Sequence, residues 1–109
     1  MKKLILILGI FYFAFAAYTT IEAKNHIGEY AEVCGKVYGV YHHKNGHIFI
    51  NMDGRYPNQK MTFIIWSRYK DNFNYLNFNG KTICAKGVIK EYKGRTEMFI
   101  KTQKQIKIK

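Results

Sequence analysis

Residues 30–41, YAEVCGKVYGVY, constrain the fold of this chain more than any other stretch. A small or apolar set (Ala31, Val33, Gly35, Val37, Gly39) alternates with a larger or polar set (Tyr30, Glu32, Cys34, Lys36, Tyr38). A period of two is that of a strand with one buried face. Glycine inside a strand weakens it unless the chain bends there or approaches another backbone closely. Two glycines on the inward set therefore predict a long strand that bends, as a small closed barrel requires. Further along, Val33-Cys34-Gly35-Lys36 is echoed by Ile83-Cys84-Ala85-Lys86. The two segments are expected to lie side by side with their cysteines meeting.

The N-terminus reads as an export segment. Lys2 and Lys3 form a positive region, residues 4–17 carry no charge, and Ala14-Phe15-Ala16 is a small-x-small cleavage pattern, with Glu22-Ala23 as a second exit. This is the order of parts in a secretory signal peptide. The rival is an uncleaved anchor, since residues 4–21 give 18 uncharged positions, the lower edge of a membrane span. The expected division is 1–23 as signal peptide, as a helix, and 24–109 as one domain, periplasmic or secreted, with no stable membrane association after cleavage.

Setting residues 1–23 aside leaves 86 residues with 16 basic and 6 acidic side chains, a formal charge of +10. Such a charge on so small a domain favours polyanions: nucleic acid, anionic lipid or acidic glycans. The plainer reading is a solvated basic surface, because lysine far outnumbers arginine. A core this small gains from a covalent staple, and an exported chain keeps its thiols oxidised. A Cys34–Cys84 disulfide is the favoured pairing; two free thiols are the alternative. There is no CxxC and no Cys/His set at zinc spacing.

Turn chemistry divides the remainder. Asn45-Gly46 tolerates the positive φ of a tight hairpin and separates the first strand from a second over 47–52. Residues 53–59, DGRYPNQ, form another connection, followed by a β-rich third strand over 60–66. Ser67 reads as the N-cap of a short helix, and Leu76 and Phe78 plug the end of the core. A fourth strand over 81–91 turns inward Ile83, Ala85, Gly87 and Ile89, and a hairpin at 92–95 leads to a fifth over 96–102. The tail 103–109 extends the last strand or frays. Five strands with a short helix between three and four match the all-β, Greek-key OB-fold barrel, in which strand one pairs with strand four.

FINMDGRYPNQ (49–59) and GKTICAKGVIKEYKG (80–94) resemble the small exported bacterial OB-fold domains of the nucleic-acid-binding, tRNA-anti-like type, which also occur attached to nucleases. The resemblance runs over about 27–106. It implies a binding module with nucleic acid as ligand and a protein partner such as a nuclease. The paired cysteines depart from the common pattern, which bears on stability rather than on ligand.

Single-strand binding needs cations for phosphates and flat aromatic faces for bases. The binding face expected here comprises Tyr38, Tyr41 and Phe49 near the first loop, Arg55, Tyr56 and Trp66 near the second, and Tyr92, Lys93 and Arg95 in the last hairpin. Each aromatic has core packing as its rival role, Phe49 and Trp66 most of all. Catalysis is not expected: Glu29, Glu32, Asp53, Asp71, Glu91 and Glu97 are scattered, with no DxD to hold a divalent ion. No cofactor is implied. His42, His43 and His47 crowd one hairpin with Asp53 not far along, but a solvated polar hairpin outweighs a metal site, since adjacent strand residues point to opposite faces. No polar code for base edges is visible, so the expected function is non-specific binding of single-stranded nucleic acid. The alternative is a periplasmic, stress-type OB module for a ligand or protein.

Overall fold

The computed structural model describes residues 16–109. The expected positive region and most of the uncharged run lie outside the described residues. Within them the chain is all-β. Eight strands are formed: β1 (Ala16–Thr19), β2 (Tyr30–His42), β3 (Ile48–Met52), β4 (Met61–Ile65), β5 (Thr82–Val88), β6 (Lys90–Tyr92), β7 (Arg95–Phe99) and β8 (Ile106–Ile108). One helical turn, α1 (Thr20–Ala23), follows β1, and two 3₁₀ segments cover Ser67–Asn72 and Gln103–Gln105. The sheet order is β6-β7-β4-β3-β2-β5-β8, with β1 attached to β2.

β2 is the axis of this arrangement. Its first half runs antiparallel to β5, from Tyr30 opposite Val88 to Lys36 opposite Thr82. Its second half runs antiparallel to β3, from Val37 opposite Met52 to His42 opposite Ile48. One strand thus serves both halves of the sheet, as its length and glycines predict, and strand one does pair with strand four. β4 lies antiparallel to β3 and parallel to β7. Ala31, Val33 and Val37 from β2 meet Ile83, Ala85 and Ile89 in a core filled by Ile48, Ile50, Phe63, Ile65, Phe78 and Met98. Phe78 is buried and Leu76 packs against the same core, as the plug reading required.

The expectation of five strands is corrected to eight, for three local reasons. Ile89 hydrogen-bonds to the 28–29 backbone (Gly28 N to Ile89 O, 2.7 Å; Ile89 N to Glu29 O, 2.9 Å), which splits the fourth strand into β5 and β6. The tail neither extends β7 nor frays. Thr102 and Gln105 form a capping box, and β8 then pairs antiparallel with β5, Lys107 opposite Cys84. Residues 16–19 add β1, parallel to β2.

Residues 16–23, on the export side of the expected boundary, pack against the domain. Thr20 and Ala23 are buried. The Tyr18 ring stacks on His26 with centroids 3.8 Å apart, and its hydroxyl donates to Glu29 Oε1 at 2.6 Å. Thr20 Oγ1 donates to Asp53 Oδ2, while Asp53 Oδ1 accepts from the Lys36 amide at 3.1 Å. Residues 16–23 are thus tied to β2 through the β1 ladder, to residues 26–29 through Tyr18 and to the loop after β3 through Thr20.

Three smaller expectations change as well. Ser67 is not an N-cap: the connector is a 3₁₀ segment whose cap position is Trp66, with no side-chain cap bond. The hydrogen-bonded path is an open sheet ending at β6 and β8 rather than a closed barrel. At the β5–β7 seam, side chains replace a ladder: Met98 lies where a Cβ on Gly87 would sit, 2.9 Å from its Cγ, and Gln105 Nε2 donates to Lys86 O at 2.9 Å. Finally, Gly39 does not share the inward face with Val37. The register shifts between them, leaving Gly39 opposite Asn51 and Tyr41 opposite Phe49. Opposed residues of an antiparallel pair share a face, so from Gly39 onward the outward and inward sets exchange.

Cys34 and Cys84 are directly opposed and joined, with Cα atoms 4.0 Å apart. Cys84 is buried rather than on an open outer surface, because β8 runs beside it.

Candidate functional site

The outer face of β2–β3–β4–β7 carries Tyr41 and Phe49 of the sequence-predicted aromatics, and the strand registers explain why. Tyr41 opposes Phe49, Phe49 opposes Ile64, and Ile64 opposes Phe99. One residue pair along, Gly39 opposes Asn51, Asn51 opposes Thr62, and Thr62 opposes Glu97. Two parallel rows, one apolar and one polar, therefore cross four strands on one face.

A groove of about 560 Å³ opens over these rows, lined by Tyr41, Phe49, Asn51, Tyr56, Gln59, Thr62, Ile64, Arg95 and Glu97. That volume lies within the range of about 300–1,000 Å³ typical of small-ligand sites. Tyr41 and Phe49 stand on one side, their rings near-parallel with centroids 6.2 Å apart. Tyr56, from the β3–β4 loop, and Arg95, from the start of β7, stand on the other, with the guanidinium 5.6 Å from the ring centroid. Tyr41 and Tyr56 are more than half exposed, so flat aromatic surface faces solvent on both walls.

Four of the nine predicted residues, Tyr41, Phe49, Tyr56 and Arg95, thus come together in one groove. Trp66 does not line it. Its half-buried ring packs edge-on against Phe99 at 5.3 Å and His47 at 4.9 Å, continuing the aromatic surface toward β7. Neither Phe49 nor Trp66 belongs to the core cluster. Tyr38 sits at the register shift in β2, exposed, with Lys36 Nζ 5.5 Å above its ring. Arg55 is exposed beside Tyr56 but outside the groove lining. Tyr92 opposes Arg95 at the hairpin tip and is exposed, with Lys93 Nζ 5.3 Å from its ring. Lys93 itself holds the turn at φ 51°.

Five lining residues were not singled out by sequence reasoning: Asn51, Gln59, Thr62, Ile64 and Glu97. Asn51 and Thr62–Ile64 follow from strand alternation once the phase of β3 and β4 is known. Glu97 needs the parallel β4–β7 pairing, which no local pattern reveals. Burial pushes the Glu97 carboxyl above its ordinary pKa, and the nearby Arg95 charge opposes that shift only in part.

The histidine hairpin is occupied by its own backbone. His43 Nδ1 accepts from the Asn45 amide and His47 Nδ1 from the Ser67 amide, both at 3.0 Å. Asp53 is engaged with Thr20 and Lys36 instead. Among the described residues, Glu32, Cys34 and Cys84 do gather within 4.8 Å, but both sulfurs are bonded to each other. No helix of the described residues is long and apolar enough to cross a membrane.

No protein-family model matches the sequence, and no curated protein does. Solved structures do resemble it. The chain aligns over 92% of its length with "OBody AM1L10 bound to hen egg-white lysozyme", at a TM-score of 0.61 and 18% identity, spanning 98% of that chain. It aligns over 90% of its length with a protein described as an aspartyl-tRNA synthetase from Leishmania major Friedlin, at a TM-score of 0.60 and 8% identity. Only 21% of the synthetase chain is spanned. At such identities the likeness shows the fold, the OB-fold, and no more.

Proposed function

We propose that this chain is a non-catalytic OB-fold binding protein that takes single-stranded nucleic acid across the β3–β4–β7 face, with little dependence on base order. The observation that carries this reading is the pairing of Tyr41 and Phe49 against Tyr56 and Arg95 across one groove. Flat faces stack on any base, and an arginine beside them meets the phosphate. OB-folds bind oligonucleotides on this sheet face, between the loops that flank it. A synthetase named for tRNA sharing the fold agrees with that use. The excess of basic side chains, formally +11 over the whole chain, supplies long-range attraction.

The test is a fluorescence titration of a mixed-sequence single-stranded oligonucleotide at two salt concentrations. Binding is expected to weaken as salt rises, because phosphate contacts release counterions. Tyr56→Ala with Arg95→Ala is expected to weaken it by about 1–3 kcal/mol for the lost stacking partner, while Tyr92→Ala, outside the groove, costs less. Salt-independent binding, or a double variant with parental affinity, would remove this reading. A second reading, a module for a protein or small ligand, is favoured by the acidic Glu97 on the groove floor and by the lysozyme-bound OBody of the same fold. Flat salt dependence would select it.

The disulfide agrees with an oxidising compartment, and we place the protein outside the cytoplasm, periplasmic or secreted. Cleavage after Ala16 would retain α1 and most of β1, whereas cleavage after Ala23 would remove both from the face of β2.

A further inference from the structure

The groove lining offers donors and acceptors together at Asn51 and Thr62, and at Glu97 an acceptor that no donor of the protein uses. Gln59 Oε1 is buried without a partner, while its Nε2 donates to Thr62 Oγ1 at 3.1 Å. Glu97, opposite Thr62 on β7, has neither a hydrogen bond nor an ion pair within 4 Å. Both line the space between the Tyr41/Phe49 wall and the Tyr56/Arg95 wall. A buried acceptor left unpaired is costly, so a ligand that brings donors to this floor gains more than one that brings acceptors.

This chemistry separates the parts of a nucleotide. An ionised phosphate carries acceptors only and is repelled by Glu97, so it belongs at the rim beside Arg95. A base edge can reach the floor. Cytosine and adenine present an exocyclic amine, and guanine presents N1–H with its amine. Thymine and uracil present one N3–H between two carbonyl oxygens, and a carbonyl oxygen would face the Glu97 carboxylate. Gly39 begins the same polar row, and no atom lies within 4 Å of the position a Cβ would take there. The β2 position opposite Asn51 therefore carries no side chain, and its surroundings are open.

Resting on the single-strand reading above, we infer that the groove reads one base edge and selects bases that carry an exocyclic amine over thymine and uracil. Preference is for a class of base, not for an order of bases.

Cytosine against thymine is the decisive comparison, because two pyrimidines of similar size stack alike and differ at this edge. Short homopolymers dC, dA and dT are titrated against the full domain at two salt concentrations. dC is expected to bind about tenfold tighter than dT, the discrimination of one good base-edge contact. Glu97→Gln should bring the dC-to-dT ratio toward one, while Gln59→Ala should not, because Gln59 Oε1 lies beneath the surface. Glu97→Gln should also tighten dT, since a negative charge leaves the floor. Thermal unfolding of each variant separates loss of selectivity from loss of fold. Salt-sensitive binding with dT equal to or tighter than dC overturns the base-edge inference and leaves single-strand binding standing. So does an unchanged ratio in the folded Glu97→Gln variant. No binding of any homopolymer overturns both.

Discussion

Replacing Cys34 and Cys84 together by serine is expected to lower the unfolding free energy by about 4 kcal/mol. The bridge joins positions 50 residues apart, and in the chain-entropy model the cost of closing that loop is what the bridge removes from the unfolded state. The folded state is affected less. Cys34 and Cys84 are opposed within a ladder running from Tyr30–Val88 to Lys36–Thr82, so strand register holds β2 and β5 together without the bond. Natural domains keep only about 5–15 kcal/mol of stability, and a loss of this size lowers the melting temperature by on the order of 20 °C in a domain this small. Denaturant unfolding of the double serine variant, and of the parent with and without reductant, measures it directly. A midpoint that does not move would show that the bond does not carry the stability assigned to it.

The second large effect is expected in the same strand. Gly35→Ala should cost roughly 2–3 kcal/mol, the range for leaving buried hydrogen-bonding groups unpaired and overfilling a packed site. A methyl on Gly35 would lie 2.3 Å from Asp53 Oδ2 and 2.9 Å from Thr20 Cγ2. To admit it, Asp53 must swing away from the buried Thr20 hydroxyl and from the Lys36 amide, the two groups that tie α1 and the loop after β3 to β2. Gly39→Ala is the matched control. No atom lies within 4 Å of its Cβ position, and alanine is better tolerated than glycine in a strand. Stability there should be unchanged or slightly raised. Equal losses at both positions would show that backbone freedom, not the Asp53 contact, is what Gly35 provides.

These two glycines show how much of the fold was legible. Alternation in residues 30–41 placed Ala31, Val33 and Val37 in the core, and the Cys34/Cys84 echo identified the partner strand and its register. Those features rest on period-two patterning and on a covalent pair, which sequence displays directly. The register shift after Val37 was hidden, because a strand with one extra residue has the same composition as one without it. It reversed the face of Gly39. Residues 16–21 carry no charge, which suits an export segment, while the parallel pairing of residues 16–19 with β2 has no local signature.

The candidate face divides in the same way. Aromatic and cationic residues in turns and on alternating strands named Tyr41, Phe49, Tyr56 and Arg95, because residue type alone suggests stacking and phosphate contact. The polar floor went unseen. Asn51, Thr62 and Glu97 belong to three strands, and only the β3–β4 and β4–β7 pairings bring them into one row.

The amino-acid sequence by itself determined an all-β domain, the long strand at its centre and the cysteine pair that ties that strand to β5. Each follows from short-range periodicity or from a bond between two marked residues. Tertiary structure alone decided that β2 carries residues 16–23 on its flank, that Gly35 yields space to Asp53 while the Cβ position of Gly39 stays open, and that Glu97 and Gln59 line one groove. Those outcomes depend on non-local pairing, in which residues distant along the chain become neighbours through hydrogen bonds that no local pattern encodes.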